Sequence, residues 1–141
     1  MLDEGYRAVL FAPGLVNVHS ADVPPELLED VLAHPPPKLR RVALEGSASH
    51  RLDEQVRAVQ RILAGAHFEE VAVSVPMGED LRAYFRALLP LATEKTSVVV
   101  STRTSDCRTT RSDAGLVLRV PKRDRRLLAA AREACPEATV V

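Results

Sequence analysis

Residues 39–76 read LRRVALEGSASHRLDEQVRAVQRILAGAHFEEVAVSVP and divide into strand, turn, helix and strand. Val42, Ala43 and Leu44 run apolar without a break, and so do Val71, Ala72 and Val73. Such runs belong to strands covered on both faces, or to strands that face small neighbours. Between them, Val56, Val59, Ile62 and Leu63 recur at helical spacing, with Arg57, Gln60 and Arg61 on the opposite side. The stretch predicts strands over Leu39–Glu45 and Phe68–Val75, a turn over Gly46–Arg51 and a helix over Asp53–Ala64. Asp53 is the expected N-cap and Gly65 the expected stop. Two strands joined by a crossover helix should lie parallel with a right-handed connection.

Most of the remaining chain reads as more of this unit. Tyr6–Phe11 is a strand, Ala12–Ser20 a loop, and Asp22 caps a short helix whose apolar side is Leu27, Leu28, Val31 and Leu32. Pro35-Pro36-Pro37 ends that helix and stiffens the link to the next strand. After a turn at Met77–Glu79, Leu81, Tyr84, Phe85 and Leu88 mark a third helix, which Pro90 ends. Ser97–Ser101 is a strand, Thr102–Ala114 a polar loop, and Leu116–Val120 a strand. Lys122–Cys135 is the last helix and Ala138–Val141 a closing strand. The expected fold is one α/β domain over residues 1–141, built of repeated β-α units with a mainly parallel sheet. The sheet is either an open three-layer sandwich or a curved repeat. A sandwich would bury Ala43, Ala72, Val99 and Val117, whereas a curved repeat would leave them on an open face.

A chain of 141 residues that is 46% hydrophobic can bury one ordinary core, and at 4% aromatic content that core must be aliphatic. The apolar runs are too short to span a bilayer, and Met1-Leu2-Asp3-Glu4 is acidic where a secretory signal is basic. Cys107 and Cys135 read as two free thiols of a reducing compartment, the alternative being one disulfide. These features place the chain in the cytoplasm or the nucleus. The charge is zero in sum but uneven in place. Residues 1–36 hold six acids and one base, while residues 101–132 hold nine bases and three acids. Such asymmetry suits a protein partner, or head-to-tail association between an acidic N-terminal face and a basic C-terminal face.

Three strand entries share a spacing: Tyr6-x-x-Val9-x-Phe11, Leu39-x-x-Val42-x-Leu44 and Phe68-x-x-Val71-x-Val73. This resembles the L-x-x-L-x-L core of ribonuclease-inhibitor-type leucine-rich repeats, and LAHPPPKLRRVALEG and EACPEATVV look like their helix-to-strand joints. The chain departs from that family in placing Ser47 and Pro76 where Asn or Cys follows the strand. The resemblance implies a curved sheet used as a protein-binding surface. Locally, Glu45-Gly46-Ser47-Ala48-Ser49 resembles the D-x-S-x-S metal motif of von Willebrand A domains, with Glu for Asp. A carboxylate and two hydroxyls are hard ligands suited to magnesium. Arg103 stands in the acidic position of that family's later T-D-G motif and would repel a cation, so no metal is expected.

The site residues that emerge are of two kinds. Glu45, Ser47, Ser49 and His50 form a turn ahead of a helix, where a phosphate could be held. Arg103, Arg108, Arg111 and Arg123 offer contacts to an anion or a partner. Cys107 and Arg111 have three residues between them where the phosphatase loop has five, so Cys107 is not read as a nucleophile. Lys122-Arg123 with Arg125-Arg126 is the densest basic cluster, but no aromatic residues interleave it as nucleic-acid binding would want. His19, His34, His50 and His67 have no metal-ligand spacing. The reading that follows is a non-catalytic protein-interaction module or adaptor subunit, without cofactor, membrane or nucleic-acid partner. The competing reading is a small phosphate-, nucleotide- or metal-binding α/β protein with its site at the Gly46–His50 turn.

Overall fold

The computed structural model describes residues 20–23, 28–34, 40–44, 52–65, 68–76 and 78–141. The strand expected at Tyr6–Phe11, the triple proline, and the turn carrying Glu45, Ser47, Ser49 and His50 lie outside these residues. The described elements are β1 (Ser20–Val23), α1 (Leu28–Ala33), β2 (Arg41–Leu44), α2 (Leu52–Gly65), β3 (Glu70–Ser74) and α3 (Leu81–Leu88). A 3-10 turn (Leu89–Leu91) follows, then β4 (Ser97–Ser101), β5 (Asp106–Ser112), β6 (Gly115–Arg119), α4 (Arg125–Ala134) and β7 (Thr139–Val140).

The seven strands form one sheet in the order of the sequence, β1 to β7. Strands β1 to β4 pair in parallel, and so do β6 and β7. The pairs β4–β5 and β5–β6 are antiparallel. The sheet is therefore mixed, and the expectation of a mainly parallel one is met only in part. The cause is β5, which occupies much of the stretch expected to be a polar loop. Its charged residues resemble a loop in composition, yet Cys107 and Thr109 alternate with exposed or half-exposed neighbours and are buried. β5 and β6 form a hairpin. A strand reversal there needs only the turn at Asp113–Ala114, closed by Gly115 at φ +111.

Three other expectations change. Asp22 belongs to β1 and not to a helix cap. Asp53 lies inside the first turn of α2, which begins at Leu52. The last helix begins at Arg125, three residues later than expected, because Asp124 caps it by accepting from the Leu127 N–H at 3.1 Å. The third helix, Leu81–Leu88, starts where its apolar spacing starts, with Asp80 accepting from the Arg82 N–H at 3.0 Å.

Register explains the core. Val42, Val71, Val98, Thr109, Leu118 and Val140 stand side by side across the sheet, and so do Leu44, Val73, Val100 and Cys107. These two rows belong to a single cluster with Val59 and Ile62 of α2, Tyr84, Phe85 and Leu88 of α3, and Leu127, Ala130 and Ala131 of α4. Leu32 of α1 packs against the same cluster. The four described helices thus cover one face of the sheet. With strand order following the sequence and right-handed crossovers, successive helices have no other side to go to.

The buried hydroxyls of this core are used. Thr96 donates to the Phe68 carbonyl at 2.7 Å and Thr109 to the Leu89 carbonyl at 2.6 Å, tying β4 and β5 to neighbouring segments. Tyr84 differs. It is buried in the cluster with a hydroxyl that has no hydrogen-bond partner among the described residues. Burial pushes its phenol up, and the charge of Glu79 pushes it further.

Two substitutions in α3 should therefore move stability in opposite directions. Phe85→Ala empties the middle of the cluster and should cost about 3–5 kcal/mol in urea denaturation. Tyr84→Phe removes an unpaired hydroxyl and should be neutral or stabilising by ~1 kcal/mol. A large loss for Tyr84→Phe would mean that the hydroxyl has a partner.

Candidate functional site

The chain offers two surfaces on which recognition could be built. The first is the sheet face away from the helices. Arg41, Glu70 and Ser97 form one row across it, and Ala43, Ala72, Val99, Arg108 and Arg119 the next. Ser74, Ser101 and Asp106 form a third. Ala43 and Ala72 are half-buried next to one another, so the uninterrupted apolar runs of β2 and β3 arise from small neighbours on this face. Val99 is buried on the same face. Arg108 stands beside it in register and forms an ion pair with the Glu70 carboxylate of β3, across β4. Of the four residues set as a test of sheet coverage, Val99 is buried while Ala43, Ala72 and Val117 are half-buried.

The second surface is a cleft at the C-terminal ends of β3 and β4. Gly78, at φ +86, turns the chain out of β3 towards α3. Beyond β4, the Thr102 hydroxyl donates to the Ser105 carbonyl at 2.9 Å and accepts from the Ser105 N–H at 3.1 Å. This local pairing holds the Thr102–Ser105 loop in shape without outside help. The turn at Lys122–Arg123 and the start of α4 face that loop. Between them lie two adjoining hollows of about 370 and 570 Å³, which share Thr104, Asp124 and Arg126. The smaller has an apolar wall of Val75, Pro76, Leu81 and Leu127, with Arg103 at its side. The larger is bordered by Ser105, Arg123 and Arg125.

The four arginines singled out by sequence are not brought together. Arg103 and Arg123 border this cleft. Arg108 lies with Glu70 on the face opposite the described helices. Arg111 lies on the helix side, where its guanidinium donates to the Ala92 carbonyl at 2.8 Å and the Pro90 carbonyl at 3.0 Å. Period-two alternation along β5 sends positions 108 and 111 to opposite faces. Arg126 and the apolar wall were not among the residues named for a site. The wall comes from three separate elements and has no signature in a linear sequence. Arg126 was visible as part of the densest basic cluster.

Both cysteines are free and buried. Burial, with the nearby charges of Asp106 and then Asp124, pushes the Cys107 thiol up to about 12. Burial pushes Cys135 up to about 11 against a lowering effect from Arg111. Neither thiol is set up as a nucleophile at neutral pH. No group of three or more metal-ligating side chains occurs among the described residues, and no helix among them is long and apolar enough to cross a membrane. The chain matches no family model, no curated protein and no solved structure.

The thiols make a pH prediction. An unfolded cysteine loses its proton near pH 9, whereas these two hold theirs until about 11 and 12. Their contribution to stability should be complete below about pH 9 and should fall as pH rises towards 12. Melting temperature measured across that window should fall less steeply in Cys107→Ala than in the parent. In native buffer at pH 8, neither thiol should react with Ellman's reagent until denaturant is added.

Proposed function

We propose that this chain is a non-catalytic protein-interaction module, an adaptor or subunit surface that works through the sheet face opposite its described helices. One observation carries the reading: the four described helices all pack on one face. The other face presents small side chains on a rigid, hydrogen-bonded backbone, with Ala43 and Ala72 at its centre and Ser74 exposed beside them. Exposed Arg41, Asp106 and Arg119 rim it with both signs of charge. A surface of this kind is already ordered before a partner arrives, so little conformational entropy remains to be lost on binding. Opposite charges at its rim can orient the partner.

The sheet order supports the curved-repeat form of the α/β fold over the three-layer sandwich. Each of β1 to β4 neighbours its successor, and the shared entry spacing places Val42 beside Val71 and Leu44 beside Val73. This is what stacking of repeated units requires. The buried, protonated thiols also favour a binding role over cysteine chemistry.

A photo-crosslinking amino acid placed at Ser74 should trap a discrete protein adduct in cell extract. The same group at Gln60, exposed on α2, should not. Equal labelling from both positions, or none from Ser74, would remove the face opposite the described helices as the working surface.

A further inference from the structure

We propose that the cleft between the Thr102–Ser105 loop and the start of α4 is a docking site for an acidic segment of a partner protein that carries an apolar side chain. This adds a second surface to the molecule and does not depend on the sheet face opposite the described helices.

Charge points to an acidic occupant. Lys122, Arg123, Arg125 and Arg126 are exposed and make no ion pair among the described residues, unlike Arg40, Arg57, Arg61, Arg82, Arg86 and Arg108, which do. Asp124 lies between them and caps α4 through the Leu127 N–H, so four cations meet one carboxylate over residues 122–126. The surplus positive charge favours a complementary acidic partner.

Shape and polarity point to a peptide. The two hollows share Thr104, Asp124 and Arg126 and together far exceed the size of a single phosphate. The apolar wall of Val75, Pro76, Leu81 and Leu127 offers nothing to an inorganic anion but accepts an aliphatic or aromatic side chain. Asp124 lies where a compact dianion would meet its charge, whereas an extended peptide can place its acids on either side. Nucleic acid is the weaker fit, because none of the described residues lining either hollow is an aromatic on which a base could stack.

The test is selection of a random peptide library displayed on phage against the immobilised full chain. Selected peptides are then measured by fluorescence anisotropy on the parent, on R125E/R126E and on Val75→Thr. The charged positions are exposed and Val75→Thr conserves shape, so circular dichroism should show all three folded. Enriched peptides should combine Asp or Glu with a Leu, Ile or Phe. Their affinity should drop about tenfold or more in R125E/R126E and weaken as salt is raised. Val75→Thr should reduce binding of those peptides but not of variants whose apolar residue is changed to Ser. The proposal is overturned if no acidic peptides are enriched, or if those found bind R125E/R126E as well as the parent. It is equally overturned if inorganic phosphate or single-stranded DNA displaces them at lower concentration than an acidic peptide does. Self-association of the parent, seen by sedimentation and lost in R125E/R126E, would instead assign the cleft to a second copy of this chain. Crosslinking at Ser74 reports on the sheet face separately, so either surface can fail without the other.

Discussion

The two register rows on the helix side of the sheet are the constraint from which the rest follows. Val42, Val71 and Val98 abut in one row, and Leu44, Val73 and Val100 in the next. Side chains alternate at a period of two, so a slip by one residue in any of these strands would turn its valines or leucine to the opposite face. It would also bring Arg41 or Glu70 under the helices. That cost holds the register, the register holds the strand order, and the order sends the described helices to one face. Tyr84, Phe85 and Leu88 then close the layer from α3, and α4 packs beside α3 over β5 and β6.

The reversal at β5 changes what the sheet can present. A parallel continuation from β4 would have required another crossover helix. The hairpin lets β5 and β6 join directly, and α4 with β7 then restores the parallel pattern at the far edge. Because side chains alternate along β5, its polar residues fall on both faces. Arg108 meets Glu70, while Arg111 ties down the carbonyls left by the 3-10 turn after α3. The basic surplus of this part of the chain is thus partly structural. Lys122, Arg123, Arg125 and Arg126, which make no ion pair among the described residues, lie together beside the ends of the parallel strands.

The chain by itself determined the β-α-β unit of residues 39–76, the third helix and the strand at Ser97–Ser101, because each is set by local periodicity of apolar residues. It also determined that the core is mainly aliphatic, with Phe68, Tyr84 and Phe85 its aromatic members among the described residues, and that basic charge concentrates near the C-terminus. The tertiary structure alone decided three things. It made a strand of Asp106–Ser112, whose burial depends on partners β4 and β6 rather than on its own hydrophobicity. It placed the helices on one face, a property of strand order that no local pattern encodes. It split Arg108 from Arg111 and brought Val75, Leu81, Leu127 and Arg126 to one cleft, since contacts between elements far apart in sequence arise only when the sheet is assembled.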